Sequence, residues 1–204
     1  MMPAAQPMLA ELDTALSQAS DSWRVTALRR IADLFLGSAE LYTADQVALF
    51  DEVICHLIAK ADRTSLAELS NKLAPVGNAP VKAIVSLARH IDIAICGPIL
   101  EFATALPDHD LVEIADADRI DLKLLAKIAA RAQLSEAVTD VLLKRGDPAI
   151  QSKLIDNPNA RISEVGFARL VSRLNGDKEL AAAIAARQEM PAELRVWLDA
   201  ALSQ

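Results

Sequence analysis

Asp147-Pro148-Ala149-Ile150-Gln151-Ser152-Lys153-Leu154-Ile155 carries three marks of a helix start. An aspartate side chain accepts from the orphan backbone N–H groups of a first turn, and a proline at the first helical position loses nothing by lacking its own N–H. Ile150, Leu154 and Ile155 then recur at helical spacing. Two further prolines stand just ahead of short apolar stretches: Pro107 before Leu111-Val112-Glu113-Ile114, and Pro191 before Leu194-Arg195-Val196-Trp197-Leu198. Pro107, Pro148 and Pro191 are thus almost evenly spaced along the chain. A period of about 42 residues predicts stacked helical repeats.

Working outward, nearly every segment shows the 3.6-residue period and none shows strand alternation. The expected fold is all-α, an α-α superhelix or solenoid of about four three-helix repeats of ~42 residues. Helices are expected near 24–36, 45–61, 65–74, 80–90, 92–105, 108–116, 121–132, 134–145, 148–156, 162–174, 177–187 and 191–202, with another near 7–19. Residues 7–75 read as a divergent N-terminal capping repeat and 80–202 as three regular ones, all within a single domain spanning 1–204. Thr43 to Gln46 and Ser65 to Glu68 fit the capping box. Asn78-Ala79-Pro80 and Asp177 mark further starts, while Asn157-Pro158-Asn159 and Asn175-Gly176 mark stops. Pro98 fits either a kinked helix capped by Asp92 or a helix that begins at Gly97-Pro98.

The chain has 204 residues, 52% of them hydrophobic, with a mean hydropathy of +0.23. The most apolar run, Ile91 to Leu100, is interrupted by Asp92 and falls far short of the ~20 residues of a membrane span. Met1-Met2-Pro3-Ala4-Ala5-Gln6 has neither the basic cluster nor the apolar segment of a signal peptide. A cytoplasmic protein without a membrane role is therefore expected. Cys55 and Cys96 are separated by one expected repeat; the spacing suits two small core thiols, with a disulfide as the alternative. Neither cysteine nor the scattered His56, His90 and His109 falls at metal-ligand spacing, so no metal and no cofactor is expected.

The stretch from Leu87 onward resembles a bacterial family catalogued as a domain of unknown function. The residues that carry the resemblance are Leu87-Ala88-x-x-x-Asp92-Ile93-x-x-x-Gly97-Pro98-Ile99-Leu100-Glu101, then Leu106-x-Asp108-x-Asp110-Leu111-x-x-Ile114. They continue as Ile128-Ala129-x-Arg131-x-x-Leu134-Ser135-x-x-Val138-x-Asp140, Arg145-Gly146-Asp147, Asn157-x-x-Ala160 and Ser163-x-x-Gly166-Phe167. The resemblance covers roughly residues 80–200. It implies helical repeats similar to HEAT, armadillo or leucine-rich-repeat-variant units, and it implies no reaction. One departure is a histidine that the pattern places at the helix start near Asp121, where this chain has none. Asp92, Asp140, Asp147 and Asn157 are polar positions of the pattern, and structural roles are expected for them.

The net charge of −7 is unevenly spread: Met1 to Asp118 carries 17 acidic against 8 basic residues, and Arg119 to Gln204 carries 11 against 13. Lys123, Lys127 and Arg131 recur every four residues, with Arg119 just before them. Arg161, Arg169 and Arg173 follow about one expected repeat later, so a three-helix register aligns the two sets into one basic ridge. Such a ridge suits an acidic protein partner or nucleic-acid phosphate, or is simply a solvated helix face. A pI near 5.0 and 3% aromatics argue against nucleic acid. Asp108/Asp110 and Asp116/Asp118 sit where aspartate serves as a cap, and no Walker loop, GxGxxG, HExxH or Ser/His/Asp set is present. The expected function is a non-catalytic protein–protein interaction module, with self-association open. The alternative is a nucleic-acid-binding, DNA-repair-like repeat protein using the basic ridge.

Overall fold

The structure, a computed structural model, describes residues 20–118, 120–174 and 176–202. The helix expected near 7–19, Arg119 of the ridge and Asn175 of the expected stop lie outside the described residues. Twelve α-helices and one short 3-10 turn, Ala39–Leu41, account for the regular structure among the described residues. The one extended pairing there is a parallel bridge between Leu134 and Ala160. No described helix is long and apolar enough to cross a membrane. The chain divides into two compact units, Met1–Leu106 and Pro107–Gln204.

The first unit holds α1 (Asp21–Leu36), α2 (Ala44–Ile58), α3 (Arg63–Leu73), α4 (Val81–Ala88) and α5 (Ile93–Phe102). Here α1 packs on α2 and α3, α2 packs on α4, and α3 packs on α5. Helices on both sides of residues 75–80 are therefore joined in one core, which includes Leu28, Phe35, Ile54, Leu73, Ile84, Leu87 and Ile99. Phe35, Tyr42 and Phe50 form an aromatic cluster with centroids 5.0–5.8 Å apart. The Thr43–Gln46 capping box is formed in both directions. The other expected box is not: α3 starts one turn earlier, on Asp62, which accepts from the Thr64 and Ser65 amides while Ser65 Oγ donates back to it. Oδ1 of Asp62 takes both amides and Oδ2 takes the Ser65 hydroxyl, so Asp62 outcompetes Ser65 as the cap. Pro98 lies inside α5, which Asp92 caps by accepting from the Ala94 amide. The helix is continuous through it, as the kinked-helix reading expected. Both cysteines are free; Cys96 is buried in α5 and Cys55 is half-buried in α2.

The second unit holds α6 (Asp108–Asp116), α7 (Leu122–Ala129), α8 (Glu136–Arg145), α9 (Pro148–Asp156), α10 (Glu164–Ser172), α11 (Lys178–Ala185) and α12 (Ala192–Leu202). Each helix packs on the second one along: α6 on α8, α8 on α10, α10 on α12, and in the other row α7 on α9 and α9 on α11. The helices of the first row start at Asp108, Glu136, Glu164 and Ala192, an even interval. Contacts thus recur every two helices, not every three as the proline spacing predicted. The physical reason is that a proline marks a helix start in either row. Pro107 and Pro191 precede α6 and α12 of the first row, whereas Pro148 opens α9 of the second. The stretch from one of these prolines to the next therefore spans one and a half row intervals. Leu142, Leu170 and Leu198 show the register directly, each buried and each one row interval after the last.

Candidate interaction surface

The basic residues expected to form a ridge are parted by the rows. Lys123 and Lys127 belong to α7 and Arg131 follows its end, while Arg169 is in α10, flanked by Arg161 and Arg173. The two sets are not at equivalent positions, so the shared ridge does not form. Arg131 is also not at the surface: it is buried, and burial pulls its guanidinium below its ordinary value, partly offset by Asp108. Arg161 is highly exposed and stands 3.6 Å from Glu136. Arg169 Nη1 donates to the Asp140 carbonyl at 3.2 Å, and Arg173 Nη1 to the Leu143 carbonyl at 2.6 Å. Lys123 is exposed and Lys127 half-buried.

The Arg173 bond follows a rule that recurs in the second unit. The last carbonyls of an α-helix have no partner inside it, and a charged donor there also meets the negative end of the helix dipole. Arg145 at the end of α8 donates to the carbonyls of Ala115, at 3.1 Å, and Ala117, closing α6. Arg173, one row interval later, does the same for α8. In the other row Asn157 Nδ2 donates to the Arg131 carbonyl at 2.8 Å and to that of Ala129 at 3.4 Å, closing α7. Arg187 closes α9 through Ile155, Asn157 and Ala160, and its other donors meet Glu189. Arg187 is nearly fully buried, and sequence reasoning missed it. Its signal is its place two residues past the end of α11, the same offset that Arg131 has from α7.

The polar positions of the family-like pattern also make bonds to helix ends or between helices. Asp92 caps α5 and pairs with Arg63, whose hydrogen bond holds the Asp92 carboxyl at about 2. Asp147 accepts from the Ile150 amide at 3.1 Å and caps α9. Asp140 joins two helices of one row: its carboxylate accepts from Ser163 Oγ at 2.7 Å, and Ser163 in turn accepts from the Gly166 amide at 3.0 Å. Gly166 is required there, because a Cβ would come within 2.9–3.1 Å of Ile162, Asp140 and Leu143. Asp51 is a second carboxylate that sequence reasoning missed. It lies buried in α2 and accepts from the Lys82 and Ala83 amides at the start of α4, at 2.9 and 2.8 Å.

With these groups engaged in holding helix ends together, the chemically distinctive part of the second unit's surface is apolar. Val165 on α10 and Val196 and Trp197 on α12 are 55%, 71% and 70% exposed. They point away from the sides of these helices that bury Phe167, Leu170 and Leu198. Among the described residues no group of three or more His, Cys, Asp or Glu side chains is arranged to hold a metal ion. Neither curated proteins nor solved structures give a match to this chain. Residues 95–204, more than half of the sequence, match the model of the family described as an uncharacterised protein conserved in bacteria (DUF2336), and the chain belongs to that family.

Proposed function

We propose that the chain is a non-catalytic protein–protein interaction module of the helical-repeat kind, related in architecture to HEAT, armadillo and leucine-rich-repeat-variant superhelices. The observation that carries this reading is the exposure of Val165, Val196 and Trp197 on two packed helices of the second unit. Large apolar side chains grouped on rigid elements mark binding surfaces, and tryptophan is among the residues enriched where binding energy concentrates. The repeat supports such a role because α12 packs on both α10 and α11, which lowers the ordering cost of presenting the surface. Phosphate binding along a basic ridge has less support, since Arg131, Arg169 and Arg173 are committed to helix packing.

A photo-crosslinking amino acid at Val165, in bacterial cells that express the chain, tests the reading. A discrete protein adduct is expected from Val165 and none from Lys153 on the other row. Adducts at neither position, with the variant folded, would remove it.

A further inference from the structure

α1 shows two different sides around its buried face of Leu28, Ala32 and Phe35. On one side Arg29 pairs with Glu68 at 2.9 Å and Asp33 with Lys72 at 2.7 Å, so that side is turned to α3. At 3.6 residues per turn, Trp23, Ala27, Ile31 and Leu34 align on the other. Trp23 and Leu34 are 48% and 60% exposed, and Ala27 and Ile31 are half-buried. Among the described residues, the helices that pack on α1 are α2 and α3. A second apolar stripe on the first described helix of a stack is the surface that a further helix covers.

The chain leading into α1 has the matching pattern. Met8, Leu9, Leu12, Ala15, Leu16 and Ala19 recur at helical spacing, with Glu11, Asp13, Thr14, Ser17 and Gln18 between them. As a helix, residues 7–19 would span about 20 Å, against about 17 Å from Trp23 to Leu34. Ser20 marks the junction: its backbone is extended and its side chain accepts from the Trp23 amide, so α1 begins there, beside the first residue of the stripe. A connection this short makes consecutive helices antiparallel neighbours.

We propose that residues 7–19 fold back as an amphipathic helix along this side of α1 and close this end of the stack. Antiparallel pairing through Ser20 sets Leu16 beside Trp23 and Ala27, Leu12 between Ala27 and Ile31, and Leu9 near Leu34. The same register puts Glu11 level with Arg30, which stands exposed on the border of the stripe. Three leucines thereby meet the four apolar residues of α1, and an acid meets a base at their edge. Left bare, the stripe would offer an apolar edge to other chains. A terminal helix with a polar outer face is how repeat proteins avoid that, and here the occupant is a segment of the same chain.

Fluorescence of the full chain tests this, with Trp197→Phe leaving Trp23 as its one tryptophan. In that parent Trp23 is expected to emit from an apolar setting and to resist acrylamide. Leu12→Asp and, independently, Leu34→Asp are expected to shift its emission to the red and raise its quenching severalfold, with the cooperative urea transition retained. Thr14→Asp, on the polar side of the segment, is expected to change neither. Equal quenching in the parent and in both leucine variants means that the stripe is bare and open to another partner, and overturns the cover. Shielding lost as fully in Thr14→Asp as in Leu12→Asp overturns the helical register. Shielding that disappears on dilution assigns the cover to a second copy and overturns the intramolecular one. The Val165 crosslink reports on the other unit and is independent of all these outcomes.

Discussion

Removing the Asp51 carboxylate is expected to destabilise the first unit more than any other single polar change in it. α4 begins at Pro80, whose side chain cannot cap, so the amides of Lys82 and Ala83 depend on a carboxylate from another helix. Hydrogen bonds to a charged group are each worth about 1.5–3 kcal/mol net, and truncation leaves buried donors unsatisfied. Asp51→Ala should therefore cost about 3–5 kcal/mol, a large share of the ~5–15 kcal/mol that holds a typical domain folded. Asp51→Asn keeps one acceptor but turns an N–H2 towards the other amide and removes the charge from the helix N-terminus; about 2 kcal/mol is expected. Urea unfolding followed by far-UV circular dichroism measures both. A second readout comes from Cys55, whose Sγ lies 3.7 Å from Asp51. Burial pushes this thiol up to about 11, with the Asp51 charge as the next cause. In Asp51→Asn the thiol should titrate lower but stay above its ordinary value, because the burial remains. An alanine variant within about 0.5 kcal/mol of wild type, or a thiol titration unmoved by Asp51→Asn, would refute the remote-cap argument.

Arg187→Ala is expected to cost about 3 kcal/mol in the same urea assay, because three carbonyls near the end of α9 lose a buried charged donor; Arg187→Lys should recover only part, having one nitrogen to place. Gly166→Ala is expected to cost about 1–3 kcal/mol by pressing a methyl group into Ile162, Asp140 and Leu143, with Ser172→Ala on the exposed side of the same helix as a near-neutral control. Above pH 9 stability should fall as pH rises towards about 11, because the unfolded Cys55 thiol ionises while the folded one keeps its proton; Cys55→Ser should flatten that limb of a pH–stability curve. The Arg63 hydrogen bond depresses Asp92, so its contribution is present above the ordinary 3.8 and lost as pH falls to about 2. In Arg63→Gln the Asp92 carboxyl should titrate closer to 3.8 by NMR.

Helix existence and type were written locally, and the sequence conveyed them well. The expected segments at 108–116 and 148–156 match α6 and α9 to the residue, and the remaining described helices differ by a few residues at their ends. Caps explain this, since each is a contest among three or four neighbouring residues. The packing register was harder to see, because it depends on which helices touch, and prolines are silent on that. A different local feature does sort the rows. α3 and α5 in the first unit, and α7, α9 and α11 in the second, are each capped by an aspartate side chain: Asp62, Asp92, Asp121, Asp147 and Asp177. The intervening α2, α4, α6, α8 and α10 have Thr43, Pro80, Pro107, Ser135 and Ser163 at that position. Cap identity alternates helix by helix, which is the signature of a two-helix unit.

The surroundings of the basic residues were hard to read for a related reason. A chain lists charges but not the distance from each to the nearest helix end. Arg145, Arg173 and Arg187 all fall within two residues of where a helix stops. In a stack of short helices, that position lies beside the open carbonyls of a neighbour, and an arginine there gains more from them than from solvent. Asn157 holds the corresponding place after α9 and gives its amide to the end of α7. A helix of eight to ten residues leaves four carbonyls unpaired, close to half of its total, so closing them is a first-order requirement of this architecture. Arginines set beside helix ends are the chemical consequence of building with short helices.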